Sequence, residues 1–438
     1  MTNRIKHMIL TTIIVGLLFV ASTLSAETLE PYRLDNGLTV ILHPVPTANK
    51  VAFVVLYNIG EDHDPLGKSG MAHLLEHLYV TAAAGETPAR DVMQFTRHYP
   101  AGWNAQTGTD YTVIASVVEV EQFSVEVKDI AARMNDLRIT EADIEREVPR
   151  VVQELTNMYG GIPMLAGINH ARAQLHPIPQ GGQRGGAVEH LQTITLDELQ
   201  QFWQDYYKPN NAILIVAGKF KIEKAKKSIH ENLSQITLGK ILPEPHPKPK
   251  PKTGNVNKIT VQPVVPNATG VASIGYAAPL PGSIEYAPFL IVYTRLLMKL
   301  QTKFGIGKVQ PIYYPILDDT STFVLQKELT PEEDIDAVQK ELDKRLQDAL
   351  TAKLTQQDKQ QTINSLAMYL DIADVPDFYL NQNIYGLAFA IGRRHQLQIN
   401  GKELRTAIEN VTDVDIQNLA KTILAPEKRV TVVVNLEE

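Results

Sequence analysis

Two hydrophobic periods alternate along this chain, and each change of period marks an element. Leu38 to His43 and Val51 to Asn58 are runs of β-branched and apolar residues between turn signals, and they predict strands. A loop rich in Asp and Gly leads to Ser69-Gly70-Met71-Ala72-His73-Leu74-Leu75-Glu76-His77-Leu78, where good helix formers run without a breaker and Ser69 is placed to cap. Asp110 to Val118 predicts another strand. Glu119 to Met134 and Glu141 to Met158 predict helices, the second interrupted by Pro149. From Leu242 to Lys252 the pattern stops, because Pro243, Pro245, Pro247, Pro249 and Pro251 alternate with Glu, His and Lys. Such a stretch favours extended polyproline geometry and packs no core, so the domain boundary is expected there.

An ungapped offset of 217 residues aligns two segments, each a helix stopped near a proline and followed by an apolar strand. Ile194-Thr195 matches Val411-Thr412, Leu199-Gln200 matches Ile416-Gln417, Pro209 matches Pro426, and Ile213 to Val216 matches Val430 to Val433. Each segment ends its half of the chain, which favours duplication over chance similarity between two αβ units. The expected organisation is therefore α+β: two duplicated αβ domains, residues 27–240 and 257–438, joined by a Pro-rich linker at 241–256.

At 44% hydrophobic and 21% charged, the 438 residues have the make-up of a globular protein, and a net charge of −7 does not favour a nucleic-acid partner. Residues 1–26 carry Arg4 and Lys6, then an uncharged run from Met8 to Leu24, then Ser25-Ala26 before Glu27. This predicts a signal peptide cleaved after Ala26 and a periplasmic or secreted chain, with an uncleaved membrane anchor as the alternative that the long apolar run and Leu24 leave open. There is no cysteine, so any metal must be held by His and carboxylates.

His73-Leu74-Leu75-Glu76-His77 places two imidazoles and a carboxylate at i, i+3 and i+4, which on a helix is one face. A solvated helix with two surface histidines is the bland reading. A catalytic metal site requires a third protein ligand while leaving a position for water. Downstream, Glu147 and Glu154 are seven apart and face the same way in a regular helix, so one could bind metal while the other hydrogen-bonds a ligand histidine. A solvated acidic face is the competing reading.

H-x-x-E-H, 76 further residues, then Glu154 with Glu147 seven before it, resembles the pitrilysin/insulinase family of zinc peptidases, the inverzincins. Gly70 and Ala72, the Asn104-Ala105-Gln106-Thr107 segment followed by Tyr111-Thr112, and His176-Pro177 ahead of Ile194-Thr195 are similar to that family's landmarks. The resemblance implies the fold of the mitochondrial-processing-peptidase-like metallohydrolases, with mixed, mostly antiparallel sheets flanked by helices. It also implies a Zn2+ cofactor held by His73, His77 and Glu154, Glu147 as a supporting catalytic residue, and Glu76 as general base. Asn104 and Ala105 would bind substrate by strand addition, reading main chain more than side chains.

Two features depart from the family. Pro149 falls between the glutamates; if the helix starts there, Glu147 is displaced. In the second half, Gln301 and Lys308 stand where the resemblance would place an Arg and a Tyr, with Tyr313 or Tyr314 as stand-ins in another register. The expectation is a metal-bearing subunit that pairs with a homologous partner supplying Arg and Tyr, a homodimer being possible, and that closes around peptides or unfolded polypeptide. The alternative is a non-proteolytic peptide-binding or assembly subunit. Membrane contact is expected only if residues 1–26 stay attached.

Other signals read as structural. Gln180 to Gly186 lacks the Lys-Ser/Thr ending of a phosphate loop and reads as a flexible surface loop. Lys248, Lys250 and Lys252 read as a solvated linker. His43, His63, His98 and His170 lack helical partners at ligand spacing.

Overall fold

The computed structural model describes residues 29–178, 183–300, 309–313, 321–330, 333–370 and 382–437. Residues 1–26, expected to be a signal peptide, and the Gln301 to Lys308 stretch lie outside them, as do Tyr314 and residues 179–182 of the glycine-rich loop.

Two mixed sheets dominate. The first is built from β1 (Tyr32–Arg33), β2 (Thr39–Pro44), β3 (Lys50–Tyr57), β5 (Trp103–Thr107), β6 (Thr112–Glu119) and β8 (Ala212–Gly218), in the order β1-β2-β8-β3-β6-β5. Two-residue strands β4 (Ala83–Ala84) and β7 (Leu137–Arg138) pair separately. The second sheet has the order β11-β12-β10-β13-β9, from β9 (Val256–Val261), β10 (Val271–Ala277), β11 (Val309–Ile312), β12 (Thr322–Glu328) and β13 (Val430–Leu436). Each contains one parallel contact, β2 with β8 and β9 with β13, among antiparallel ones.

Those parallel contacts expose the duplication. Helix Leu196–Tyr206, capped by Thr195, leads through a turn starting at Pro209 into β8; helix Asp413–Thr422, capped by Thr412, leads through a turn starting at Pro426 into β13. Each strand then inserts parallel to one neighbour and antiparallel to another in its own sheet.

The halves also exchange helices. The inner strands β3 and β8 are buried on both faces, so each face requires an apolar cover. One cover comes from the first half's own helices; the other is helix Ile384–Gln396 from the far end of the chain, whose Leu387, Ala388 and Ile391 join Val54, Leu56, Ile213 and Ile215 in one core cluster. Reciprocally, Ala166, Ala171 and Leu175 of helix Pro163–Leu175 pack with Val271, Val432 and Val434 of the second sheet. A glycine sits at each crossing. A Cβ on Gly392 would come within 2.6 Å of Ile215, and one on Gly167 within 2.8 Å of Ser273, so these helices approach the foreign sheet more closely than any side chain would allow.

The helical expectations need two corrections. Helix Met71–Thr81 is not capped by Ser69: its N-cap is Gly70, in a left-handed conformation (φ 94°), and the buried Asp64 carboxylate takes the free amides of Gly70 and Ala72 at 2.7 and 2.8 Å. Helix Glu141–Thr156 runs through Pro149 without a break. Pro149 and Glu145 both face solvent, where water can satisfy the carbonyl left without a donor.

Candidate metal centre

The sequence motif sits in helix Met71–Thr81, with His73 and Glu76 buried and His77 half-buried. Because the His77 and His73 rings lie one turn apart, they meet edge to face with centroids 5.1 Å apart. Helix Glu141–Thr156 packs beside it and brings its own seven-residue pair to the same place. Nε2 of His73 and Nε2 of His77 lie 3.8 and 3.5 Å from Oε2 of Glu154, and one ligand atom from each of the three residues falls within 4.8 Å of the others.

The tautomers follow from the partners. Nδ1 of His73 is 2.8 Å from the carbonyl of Gly185, which can only accept, so Nδ1 carries the proton and the Nε2 lone pair is directed at the shared centre. Nδ1 of His77 faces Glu147 Oε2 at 3.5 Å, leaving its Nε2 toward Glu154. A tetrahedral zinc with bonds of about 2.0–2.1 Å would hold its ligand atoms roughly 3.4 Å apart. The donor set, two imidazole nitrogens and one carboxylate with both outer nitrogens engaged, fits that ion.

Charge accumulates around the three residues. Burial works to neutralise His77, but the carboxylates of Glu147 and Glu154 on either side outweigh it and push the imidazole up to about 10 in the metal-free chain. The Glu154 carboxyl is held below its ordinary range, chiefly by the His77 hydrogen bond. Glu147 is buried, which by itself raises a carboxyl; His77, Arg146 at 2.9 Å and Arg150 at 3.1 Å hold it ionised instead. Glu76 goes the other way. Burial raises its carboxyl above the usual value against the pull of His73, His77 and the Thr107 hydroxyl, which donates to Oε2 at 2.9 Å.

Among the described residues strand β5 is the edge of the first sheet, and it lies along the same cavity, whose volume is about 500 Å3. Val117 donates to the Gly102 carbonyl, so the even-numbered residues of β5 bond inward to β6, and the backbone groups of Trp103, Ala105 and Thr107 face outward. Ala105 is therefore placed for main-chain pairing. Asn104 is not: its main chain bonds to β6, and its side chain points to the opposite face and donates to the Tyr385 hydroxyl at 2.7 Å.

Arg184, Gly185 and Asp64 support the site without a signal in the sequence pattern. Residues 183–186 are no free surface loop: Arg184 is buried, pairs with Glu61 at 3.0 Å, donates to the His176 carbonyl and donates its own amide to the Tyr159 hydroxyl, which fixes Gly185 under His73. Glycine at 185 is required by φ 87°, and the Cβ of any other residue would lie 2.7 Å from Leu155. Asp64, in the loop ahead of the motif helix, caps that helix; burial pushes its carboxyl up to about 8 despite its backbone donors. Lys248 is not simply solvated either, since it meets the buried Asp62 at 2.6 Å. Tyr313 lies in the second core, its hydroxyl directed to Tyr286, and does not line the metal cavity. His43 is buried in β2, His63 accepts from the Gly60 amide, His98 packs on Tyr99 and His170 meets the Tyr159 carbonyl; among the described residues none joins a metal-capable group.

The sequence matches the insulinase family (peptidase family M16) over residues 39–160 and the peptidase M16 inactive domain over residues 193–366. It is 28% identical over 225 residues to the zinc protease PqqE of Helicobacter pylori and 25% identical over 214 residues to an uncharacterized zinc protease of Rickettsia bellii. The chain spans about half the length of these curated relatives, 50% and 52%. An uncharacterized zinc protease of Rickettsia felis is 22% identical over 403 residues, covering 90% of this chain and 94% of that one. In fold the chain superposes on a protease from Helicobacter pylori with a TM-score of 0.77 at 20% identity, over 94% of this chain and 99% of that one. It also superposes on the first half of the periplasmic protease PqqL from Escherichia coli, with a TM-score of 0.71 at 16% identity over 94% and 92%. Both halves thus match descriptions of one family, and the chain belongs to the pitrilysin/insulinase (M16) family of zinc peptidases.

Proposed function

We propose that this chain is a zinc-dependent endopeptidase acting on peptides or unfolded segments, and the metal-bearing subunit of a heterodimer in the periplasm or outside the cell. The observation that carries the reading is the convergence of His73, His77 and Glu154 beside a buried carboxylate and a free sheet edge. A zinc ion held by these three residues would polarise a peptide carbonyl and acidify a water.

Glu76 is the general base in this reading. One of its oxygens takes the Thr107 hydroxyl, leaving the other to accept a proton and return it to the leaving amine. Burial favours the neutral, proton-carrying form, which suits a group that must hold a proton transiently. Glu147 keeps the His77 ring turned with Nε2 toward Glu154. The outward backbone groups of Ala105 pair with the substrate main chain, which limits side-chain selectivity at that point. The peptidase names of the relatives, and a periplasmic one among the structural neighbours, support the assignment of activity and compartment.

The second reading, a peptide-binding or assembly subunit without hydrolysis, draws on Gln301 and Lys308 and on the inactive-domain match of residues 193–366. Metal content and cleavage discriminate the two. Wild type should contain one zinc per chain, and Glu154→Gln should lose it, by elemental analysis. Cleavage of a quenched peptide library should appear when a homologous partner is supplied. Stoichiometric zinc without cleavage under any pairing would favour the assembly role, full activity of the lone chain would remove the heterodimer, and absence of zinc would overturn the site.

A further inference from the structure

The face of β5 turned away from the metal centre borders a second cavity. Side chains of an antiparallel pair share a face with the residue opposite them, so Asn104, which pairs with Ala115, and Lys50, which pairs with Glu119, project to the side covered by helix Ile384–Gln396. On that side, at the end of β5 farthest from Glu76, a cavity of about 380 Å3 is lined by Asn49, Lys50, Trp103, Gln382, Asn383 and Tyr385 among others.

Its chemistry has one sign. Among the described residues of the lining, Lys50 is the single ionisable cation and none carries a carboxylate. Asn49, Gln382 and Asn383 carry amide donors, and the Tyr385 hydroxyl, having accepted from Asn104, retains its own proton to give. Lys50 rests 3.7 Å from Glu119, an exposed pair that a competing carboxylate can displace at small cost.

We propose that this cavity is a substrate subsite for an acidic side chain, roughly five residues from the cleaved bond. The inference rests on the peptidase reading, since it takes the substrate to be an extended peptide added to β5. A residue opposite Gly102 in such a strand stands five from the one opposite Thr107, next to Glu76, and about 17 Å away at roughly 3.4 Å per residue. Its side chain falls on the Lys50 face, whereas its neighbours in sequence fall on the metal face. The second half of the chain thereby enters specificity through Gln382, Asn383 and Tyr385, which linear proximity to the motif would not suggest.

The test is product sequencing of a randomised peptide library digested by the full active complex carrying wild type, Lys50→Ala, Lys50→Glu or Tyr385→Phe. Wild type should enrich Asp and Glu roughly threefold to fivefold at one position four to six residues from the cut. Lys50→Ala should abolish the enrichment with total cleavage retained, Lys50→Glu should replace it by Lys and Arg, and Tyr385→Phe should weaken it. Cleavage with no acidic enrichment, or with enrichment that survives Lys50→Glu, overturns the subsite. Were wild type not to cleave at all, the peptidase reading would fall, and the subsite would be judged by anisotropy of fluorescent decapeptides bound to the zinc-loaded chain. Affinities for Glu-containing and Lys-containing peptides that match within experimental error would overturn it there as well.

Discussion

Replacing Thr107 by Val tests the proposed role of Glu76 at a residue outside the proposed metal-holding set of His73, His77 and Glu154. Valine keeps the shape and removes only the hydroxyl that donates to Glu76 Oε2 at 2.9 Å. A hydrogen bond to a charged group contributes about 1.5–3 kcal/mol, and one pKa unit corresponds to about 1.4 kcal/mol. The bond favours the ionised form, so its loss raises further a carboxyl that burial has already raised. Glu76 must be deprotonated to act as base, so the acidic limb of the kcat/KM profile should move to higher pH, and kcat/KM on that limb should fall roughly 10- to 150-fold. The alkaline limb and the zinc content should stay as in wild type, and Thr107→Ser should restore the acidic limb. The assay is initial-rate cleavage of a quenched peptide from pH 5 to 9, with metal content checked at each end. An acidic limb that does not move in Thr107→Val, with zinc retained, would refute Glu76 as the titrating base.

Gly185→Ala forces an L-residue into φ 87° and sets its Cβ 2.7 Å from Leu155, so it should destabilise the chain by about 1–3 kcal/mol and weaken zinc binding through His73, measured by thermal unfolding and chelator competition. Gly392→Ala should lower Tm by a comparable cost, through Ile215, without changing zinc affinity, because it lies at the helix exchange and not at the site. His43 is fully buried, and burial lowers its imidazole to about 4 from 6.5. The unfolded chain therefore binds the proton first as pH falls, and about 3 kcal/mol of stability is lost progressively between pH 6.5 and 4. In urea titrations His43→Gln should lack that part of the slope; equal pH dependence in both proteins would remove His43 as its source.

The motif was legible because its chemistry lies along single elements. His73, Glu76 and His77 share a helix face by i, i+3, i+4 spacing, and Glu147 and Glu154 share one by a spacing of seven, so a correct helix assignment suffices to align each group. The duplication was legible for the same reason, as helix, proline and strand recur in order at Thr195 and at Thr412. The face that Asn104 presents was not legible, because strand alternation alone does not say which face meets the substrate. That is decided by the register with β6, visible only once Val117 is seen to donate to Gly102. The Pro149 ambiguity dissolves for a similar reason: whether a proline breaks a helix depends on which side meets water, and Pro149 and Glu145 face out.

By itself the sequence determined the candidate ligand set, two imidazoles and carboxylates on two helices with no thiolate available, and the repeated αβ plan of the halves. Tertiary structure alone decided that the two helices lie against each other, that Gly185 offers its carbonyl to His73, that Thr107 reaches Glu76 from the sheet edge, and that helices Pro163–Leu175 and Ile384–Gln396 change places between sheets. Periodicity is written within an element, where neighbours are set by the geometry of the helix or strand. A contact made by a backbone carbonyl, or by a side chain more than a hundred residues away, depends on packing among all the elements and leaves no residue-type signal of its own.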